Sequence, residues 1–269
     1  MLLNEPPESA YDLRFDLLGI PVRIAWTFWL ATLIFGYGGA KSVDYLFYET
    51  SPGMAPWLLL WAIVMFASIL IHELGHALAF RHCGINASVV LYHFGGLAIP
   101  LSGRGPGLSA LRLGRYENIY IAAAGPVAQL GLAGLTLLLL KSSGYALLEA
   151  SRGIAAGPEF LMSIPGLESG ERIDRPGLFA VVYFMLFVNI WWPLLNLVPV
   201  WPLDGGRIAR EVIVLSGGTT HLATQVSMVV AGLVALLMFS WGQLFGAFLF
   251  ISLAVGSYQL LNSMGHWRM

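Results

Sequence analysis

The residues of this chain with the clearest capacity for chemistry are His72, Glu73 and His76, which form the motif HExxH. On a helix, two histidines four residues apart lie on one face, where both imidazoles can bind one Zn²⁺. Glu73 lies one position further round and can accept a proton from a metal-bound water. The motif therefore predicts the metal site and the general base of a zinc-dependent protease.

The motif lies in an apolar run, residues 57–80, that is long enough to cross a membrane as a helix. Between Pro56 and Arg81 the motif contributes all the ionisable side chains. A charged group at bilayer depth costs about 2.5 kcal/mol or more, so such groups are expected to hold an ion or to face a wet cavity. These surroundings favour a metal site over the alternative, two buried histidines that only form hydrogen bonds with backbone carbonyls.

The composition is that of an integral membrane protein. Hydrophobic residues make up 57% of the chain and charged residues 11%, whereas soluble domains carry about 25% charged residues. The net charge of −1 gives no indication of a nucleic-acid partner. The single cysteine, Cys83, excludes an internal disulfide.

The apolar runs predict an all-α polytopic membrane protein with about six transmembrane helices and short β segments at the membrane edge. The last two runs are separated by Trp241-Gly242, which leaves open a tight helical hairpin or one bent element. We expect a single transmembrane domain over residues 1–269, with an extracytoplasmic loop at 142–177 that is too short for a further folded domain. The runs lie at about 24–40, 57–80, 117–140, 178–199, 224–240 and 243–261.

The distribution of Lys and Arg predicts the orientation in the membrane. With six spans and a cytoplasmic N-terminus, nine basic residues lie on the cytoplasmic side and five on the other, which favours two cytoplasmic termini in the inner membrane. The cytoplasmic set is Arg14, Arg23, Arg81, Arg104, Arg112, Arg115, Arg207, Arg210 and Arg268. The outer set is Lys41, Lys141, Arg152, Arg172 and Arg175.

A catalytic zinc ion usually takes three protein ligands, and two candidates for the third are weak. His82 has the spacing of HExxHxxGxxH, but Ala79 replaces the helix-breaking glycine of that motif. A continuous helix would turn His82 about 80–120° away from the other two histidines. Glu211 has a suitable depth, but Arg207 four residues earlier predicts a surface pair instead.

Asp204 is the favoured third ligand. It ends the segment Asn196-Leu-Val-Pro-Val-Trp-Pro-Leu-Asp204, in which two prolines terminate the fourth apolar run. The orientation above places Asp204 and the HExxH motif at similar depth, near the cytoplasmic ends of their spans. Gly205 and Gly206 are expected to allow a sharp turn that directs the carboxylate inward.

In this order, HExxH and N-x-x-P-x-x-P-L-D-G-G resemble the paired signatures of the site-2 protease family of intramembrane metalloproteases. Leu18–Ile24 resembles the opening of that family, interpreted as a short strand pair at the membrane edge. Phe94-Gly95-Gly96 resembles its glycine pair, and Ala124-Gly125-Pro126 its G-P-x-x-N element, with Gln129 in place of the asparagine. The resemblance covers about residues 13–215.

The resemblance implies one Zn²⁺ per chain, held by His72, His76 and Asp204, with Glu73 as general base. It also implies that Asn196 positions substrate or stabilises the oxyanion, since an amide NH₂ near the metal can donate to developing negative charge. The expected activity is regulated intramembrane proteolysis, with a single-span membrane protein in the lipid bilayer as the substrate. The PDZ-like and CBS domains that many members carry are not expected here.

Residues 87–100 contain alternating side chains and the pair Gly95-Gly96. We expect this segment to offer a strand edge that binds an unwound substrate, with both glycines in substrate binding. A re-entrant loop that only seals the cavity is the alternative, and His93 is expected to be interfacial.

Two other classes of function remain open at this point. A non-proteolytic membrane protein with a structural zinc site would need four protein ligands, and the sequence offers no convincing fourth. A transporter would distribute ionisable groups over several spans, whereas here they cluster in two.

Overall fold

The computed structural model describes residues 6–101, 113–146, 167 and 169–266. Within these ranges the chain forms seven helices and one four-stranded sheet. The elements are β1 Leu13–Leu17, β2 Ile20–Ile24, α1 Trp26–Leu46, α2 Met54–His82, β3 Ala87–Tyr92, β4 Gly95–Pro100, α3 Arg115–Ser142, α4 Pro176–Asn196, α5 Asp204–Leu215, α6 Thr220–Ser240 and α7 Leu244–His266.

Five of the described helices, α2, α3, α4, α6 and α7, are long and apolar enough to cross a membrane. The first apolar run, at about 24–40, forms α1, a helix of 21 residues whose glycines, together with Lys41 and Asp44, lower its mean hydropathy. The predicted class, a multi-pass, mainly helical membrane protein with a small amount of strand, is therefore confirmed.

The last two apolar runs form a helical hairpin. The chain reverses at Trp241–Gln243, where Gly242 has a φ of 72°, a left-handed conformation that favours glycine. The two helices then pack side by side, and the hydroxyls of Ser227 on α6 and Ser257 on α7 lie 2.9 Å apart. A buried hydroxyl pair of this kind satisfies both side chains within the bilayer.

The sheet has the order β1-β2-β3-β4. The hairpin β1–β2 turns at Leu18-Gly19, where both residues have positive φ, and it confirms the strand pair expected before the first helix. β2 pairs in parallel with β3, and β3 pairs antiparallel with β4. β4 is an edge strand of this sheet, as expected for residues 87–100.

The first two helices pack closely because a glycine lies where their axes cross. The indole of Trp61 on α2 lies against Gly36 of α1, where an added Cβ would overlap it. The indole N–H of Trp61 donates to the carbonyl of Thr32 at 3.0 Å. Trp61 is thereby both a packing residue and an interhelical hydrogen-bond donor.

The predicted loop at 142–177 is described only at its base, and residues 147–166 and 168 lie outside the described residues. At that base, the amide of Ala146 donates to the carbonyl of Glu171 at 2.8 Å. Lys141 donates to the carbonyl of Ser169 at 2.7 Å. These bonds join the end of α3 to the segment that leads into α4.

The crossing of α1 and α2 predicts a difference between two glycines of the same helix. Gly36→Ala is expected to lower the free energy of unfolding by about 1–3 kcal/mol, because the new methyl overlaps the Trp61 ring. Gly38→Ala is the matched control, because an added Cβ there meets no atom within 4 Å. Thermal unfolding in detergent measures both, and equal stabilities would contradict this account of the packing.

Candidate metal centre

The structure brings three ligand atoms from two distant segments together. The Nε2 atoms of His72 and His76 lie 3.2 Å apart, and Asp204 Oδ2 lies 3.2 Å from the first and 3.3 Å from the second. All three residues are buried, with exposures of 2%, 5% and 8%. They form a group that is positioned to bind a metal ion.

The spacing of these atoms agrees with tetrahedral coordination. An ion about 2.0–2.1 Å from each ligand atom would separate neighbouring ligands by about 3.3 Å. The separations of 3.2, 3.2 and 3.3 Å match that edge length. Three buried ligand atoms that face one another at this distance fit a divalent metal without rearrangement.

Two hydrogen bonds orient the histidines. The Nδ1 atom of His72 lies 2.9 Å from Gln129 Oε1, and that of His76 lies 2.7 Å from the carbonyl oxygen of Ile121. Since an amide or carbonyl oxygen accepts, each Nδ1 carries the proton, and each Nε2 keeps its lone pair for a metal. Gln129 and Ile121 both belong to α3, so one helix fixes both rings.

Gln129 is the residue at which the G-P-x-x-N element departs from the family pattern. It is fully buried, and its amide nitrogen lies 3.5 Å from the carbonyl of Val188. The longer side chain therefore provides an acceptor for His72 across the contact between α2 and α3. The sequence marked this position through the resemblance, but it did not indicate the contact with His72.

A close approach of α2 and α3 makes these bonds possible. A Cβ on Gly75, inside the HExxH motif, would lie 2.7 Å from the carbonyl oxygen of Ala124. A Cβ on Gly125 would overlap the imidazole of His76. The glycines of two separate motifs thus face each other across one helix crossing.

Asp204 is the first residue of α5. A carboxylate in the first turn is stabilised by the positive end of the helix dipole. The expectation of a sharp turn at Gly205 and Gly206 was wrong, because both residues lie inside α5 and neither has a positive φ. Their role is close packing, since an added Cβ would overlap the carbonyl group of Leu197 or of Val200.

The two weaker candidates for a third ligand lie elsewhere. α2 continues to His82, which is exposed and whose ring contacts that of Tyr120 at 5.9 Å between centroids. Glu211 is buried, but it accepts from Arg115 on α3 at 2.9 Å. The expected pairing of Glu211 with Arg207 was therefore wrong, and the observed ion pair ties α5 to the start of α3.

A cavity of about 110 Å³ opens beside the metal group. Its walls include Glu73, Asn196 and Gly96, three residues singled out in the sequence. An added Cβ on Gly96 would overlap the Glu73 side chain, and one on Gly95 would lie 2.7 Å from the Trp192 ring. The side chain of Glu73, which α2 carries, is thus confined by the edge strand β4.

The two asparagines of α4 have different surroundings. Asn196 is half-buried and lines the cavity, whereas Asn189 is fully buried. The amide of Asn189 donates to Ser68 Oγ at 2.9 Å and to the Met185 carbonyl at 2.8 Å. Asn189 is therefore a structural residue of the α2–α4 contact.

The fold and the site define a multi-pass membrane protein with a buried centre of two histidines and one aspartate that can hold a metal. Residues 60–240 match the sequence profile of Peptidase family M50, and the chain belongs to that family. This match confirms the resemblance to the site-2 proteases.

Individual relatives agree with this assignment. A protein of Synechocystis sp. that carries the name of a zinc metalloprotease is 27% identical over 253 residues, which cover 92% of this chain and 52% of that protein. A zinc metalloprotease of Methanocaldococcus jannaschii is 24% identical over 236 residues, or 87% of this chain and 55% of the relative. The chain thus spans about half the length of these relatives.

A solved structure shares the fold. The site-2 protease from Methanocaldococcus jannaschii superposes with a TM-score of 0.50 and 21% identity, and the match covers 93% of this chain and 95% of that one. The match therefore shows a common fold over nearly the full length of both chains.

The crossing of α2 and α3 predicts the behaviour of Gly125→Ala. Because the new methyl overlaps the His76 ring, bound metal per chain is expected to fall well below the wild-type level after purification with Zn²⁺ present. Gly131→Ala, on the same helix with nothing within 4 Å of the added Cβ, is the matched control and is expected to keep wild-type metal content. Full metal content in Gly125→Ala would show that this contact does not shape the site.

The hydrogen bond to His72 predicts a second loss. Gln129→Leu removes the acceptor at similar volume and is expected to weaken metal binding about 10–100-fold, the usual effect of losing a partner of a ligating histidine. Thr136→Val, on the same helix, removes a hydroxyl that bonds only the Leu132 carbonyl, and it should leave metal affinity unchanged. Competition with a chelator measures both affinities, and equal values would refute the positioning role of Gln129.

Proposed function

We propose that this chain is an intramembrane zinc metalloprotease that hydrolyses peptide bonds in or near the transmembrane segments of membrane-anchored proteins. The observation that carries the proposal is the triangle of ligand atoms, 3.2–3.3 Å on each side, within an apolar helix bundle and beside the Glu73 carboxylate. Membership of Peptidase family M50 supports it, as do the names of the relatives.

His72, His76 and Asp204 are the residues that would hold one Zn²⁺ per chain. When bound, zinc acts as a Lewis acid on the substrate carbonyl and lowers the pKa of water toward ~7. Among the described residues, no further His, Cys, Asp or Glu joins this group. A site with three protein ligands keeps a position for water, which is typical of catalytic and not of structural zinc.

Glu73 is the general base in this proposal. Its side chain is buried, lines the cavity and is confined by Gly96 on the adjacent strand. Glu73 takes a proton from the attacking water and returns it to the leaving amine, so that the carboxylate is regenerated in each turnover.

Asn196 is proposed as a hydrogen-bond donor to the substrate. Its side chain lies at the end of α4, lines the cavity and makes no hydrogen bond with the residues that the structure describes. The amide is therefore available to the scissile carbonyl as negative charge develops on it.

β4 is the proposed binding site for the substrate backbone, with Gly95 and Gly96 at its start. A transmembrane helix has its carbonyls hydrogen-bonded internally, so a substrate must unwind before attack. The edge of β4 can accept the unwound segment as an added strand. Gly96 then brings that segment beside Glu73.

The orientation in the membrane follows from the basic residues. Nine of 14 Lys and Arg residues fall on one side of a six-span arrangement, which supports an inner-membrane protein with both termini in the cytoplasm. The metal group then lies toward the cytoplasmic face. A single-span, membrane-anchored protein is the proposed substrate, because one isolated helix unwinds with the least loss of packing.

The variant Glu73→Gln separates metal binding from catalysis. It keeps the side-chain volume beside Gly96 and all three proposed ligands, so zinc per chain is expected to match wild type. Cleavage of a panel of single-span membrane proteins should fall by about 10²–10⁴-fold, because the amide cannot accept the proton. Glu49→Gln, an exposed site remote from the cavity, is the control.

Zinc near one per chain in both proteins, with cleavage only in wild type, would establish the protease. Zinc in both with no cleavage of any substrate would favour a structural site. No zinc in either would overturn the proposal.

A further inference from the structure

Tyr92 is a buried tyrosine at the last position of β3, with only 1% of its surface exposed. Its side chain lines the same cavity as Glu73 and the metal group. A buried tyrosine hydroxyl normally finds a hydrogen-bond partner. The Tyr92 hydroxyl makes no hydrogen bond with any residue in the described ranges, so its donor is available to a molecule bound in the cavity that Tyr92 lines.

The surrounding structure fixes the position of this hydroxyl. In the β3–β4 hairpin, Tyr92 pairs with Gly95, and its ring packs edge-on against those of His93 and Phe94 at 5.1 and 6.1 Å between centroids. A ring held on these contacts has little freedom to rotate away. The hydroxyl is therefore a preorganised group, which costs no reorganisation during a reaction.

The charge environment keeps the hydroxyl a donor. Burial, followed by the nearby Glu73 carboxylate, raises the pKa of Tyr92 far above its usual value. The phenol therefore retains its proton over the whole physiological range. A neutral donor of this kind favours an acceptor that becomes negative, such as the carbonyl oxygen of a peptide under attack.

Arg207, like Asn196, is a donor that lines the cavity without a hydrogen bond to the described residues. It differs from Tyr92 because it is half-exposed and has a long, flexible side chain. A donor in a fixed position can bind the transition state more strongly than the substrate, whereas a flexible side chain adjusts to both. This difference favours Tyr92 for the catalytic role.

We propose that the Tyr92 hydroxyl donates a hydrogen bond to the oxyanion that forms at the scissile peptide, and that Tyr92 is thereby a catalytic residue in addition to Glu73 and Asn196. The inference rests on the proposed protease function. The phenol O–H bond stays intact throughout. The proton that moves passes from the attacking water to Glu73 and then to the leaving amine.

The test is Tyr92→Phe, which keeps the buried ring and removes only the hydroxyl. The kcat for a single-span substrate is expected to fall by about 10²-fold, the lower end of the effect of losing one oxyanion donor. Zinc per chain and thermal stability should match wild type, because the hydroxyl makes no hydrogen bond with a described residue. KM should also match wild type, because the proposed bond forms to the oxyanion and not to the bound substrate. A phosphinic peptide, which resembles the tetrahedral state, should bind more weakly by a similar factor.

Tyr183→Phe is the matched control. Tyr183 is a largely buried tyrosine on α4 that stacks on Phe179 at 6.1 Å and does not line the cavity. The substitution removes the same hydroxyl group outside the cavity, so the kcat of the Tyr183→Phe protein and its affinity for the phosphinic peptide should equal those of wild type.

The outcomes separate this inference from the proposed function. If wild type cleaves, Glu73→Gln does not, and Tyr92→Phe retains the wild-type kcat, the role of Tyr92 is overturned while the protease stands. A fall in kcat that comes with equal losses of zinc or of stability would show a structural hydroxyl and would also overturn it. If wild type cleaves no substrate, the proposed function fails, and the role of Tyr92 fails with it.

Discussion

The contact between α2 and α3 is the interaction on which the rest of the site depends. Gly75 and Gly125 let the two backbones approach until a carbonyl of α3 lies against α2. At that distance α3 supplies the acceptors for both histidines. The same helix holds α5 through the ion pair of Arg115 with Glu211, and α5 begins with Asp204. One close crossing therefore orders all three ligand atoms.

The membrane explains why the site is assembled from several helices. At bilayer depth an unsatisfied polar group costs several kcal/mol, so each polar atom of the motif needs a partner. A single helix cannot provide them, because its own backbone groups are already paired. Gln129, Ile121 and Asp204 supply partners from α3 and α5. A divalent cation would compensate the buried charge that remains.

Local patterns in the sequence predicted the long apolar helices and the two histidines of the metal group, because apolar run length and the HExxH spacing depend on one segment at a time. Asp204 was predicted by comparing the depths of two spans. Relations between segments were harder to predict. The contact of Gln129 with His72, the partner of Glu211 and the packing role of Gly205 all depend on how helices cross. Helical periodicity does not encode that geometry. The glycines indicated close approach, but not which atoms approach.

The edge strand β4 resolves a conflict between hydrolysis and an apolar environment. The cavity of about 110 Å³ has room for a few water molecules, since each occupies about 30 Å³ in the liquid. A folded helix is about 10 Å or more across, whereas an extended peptide paired with the edge strand β4 would be narrow enough to enter beside the metal group. Because Gly96 lies against Glu73, the strand that would bind the peptide also confines the proposed general base. In the proposed reaction, a substrate that fails to unwind could not form this pairing, so the strand geometry would limit cleavage to segments that leave the helical state.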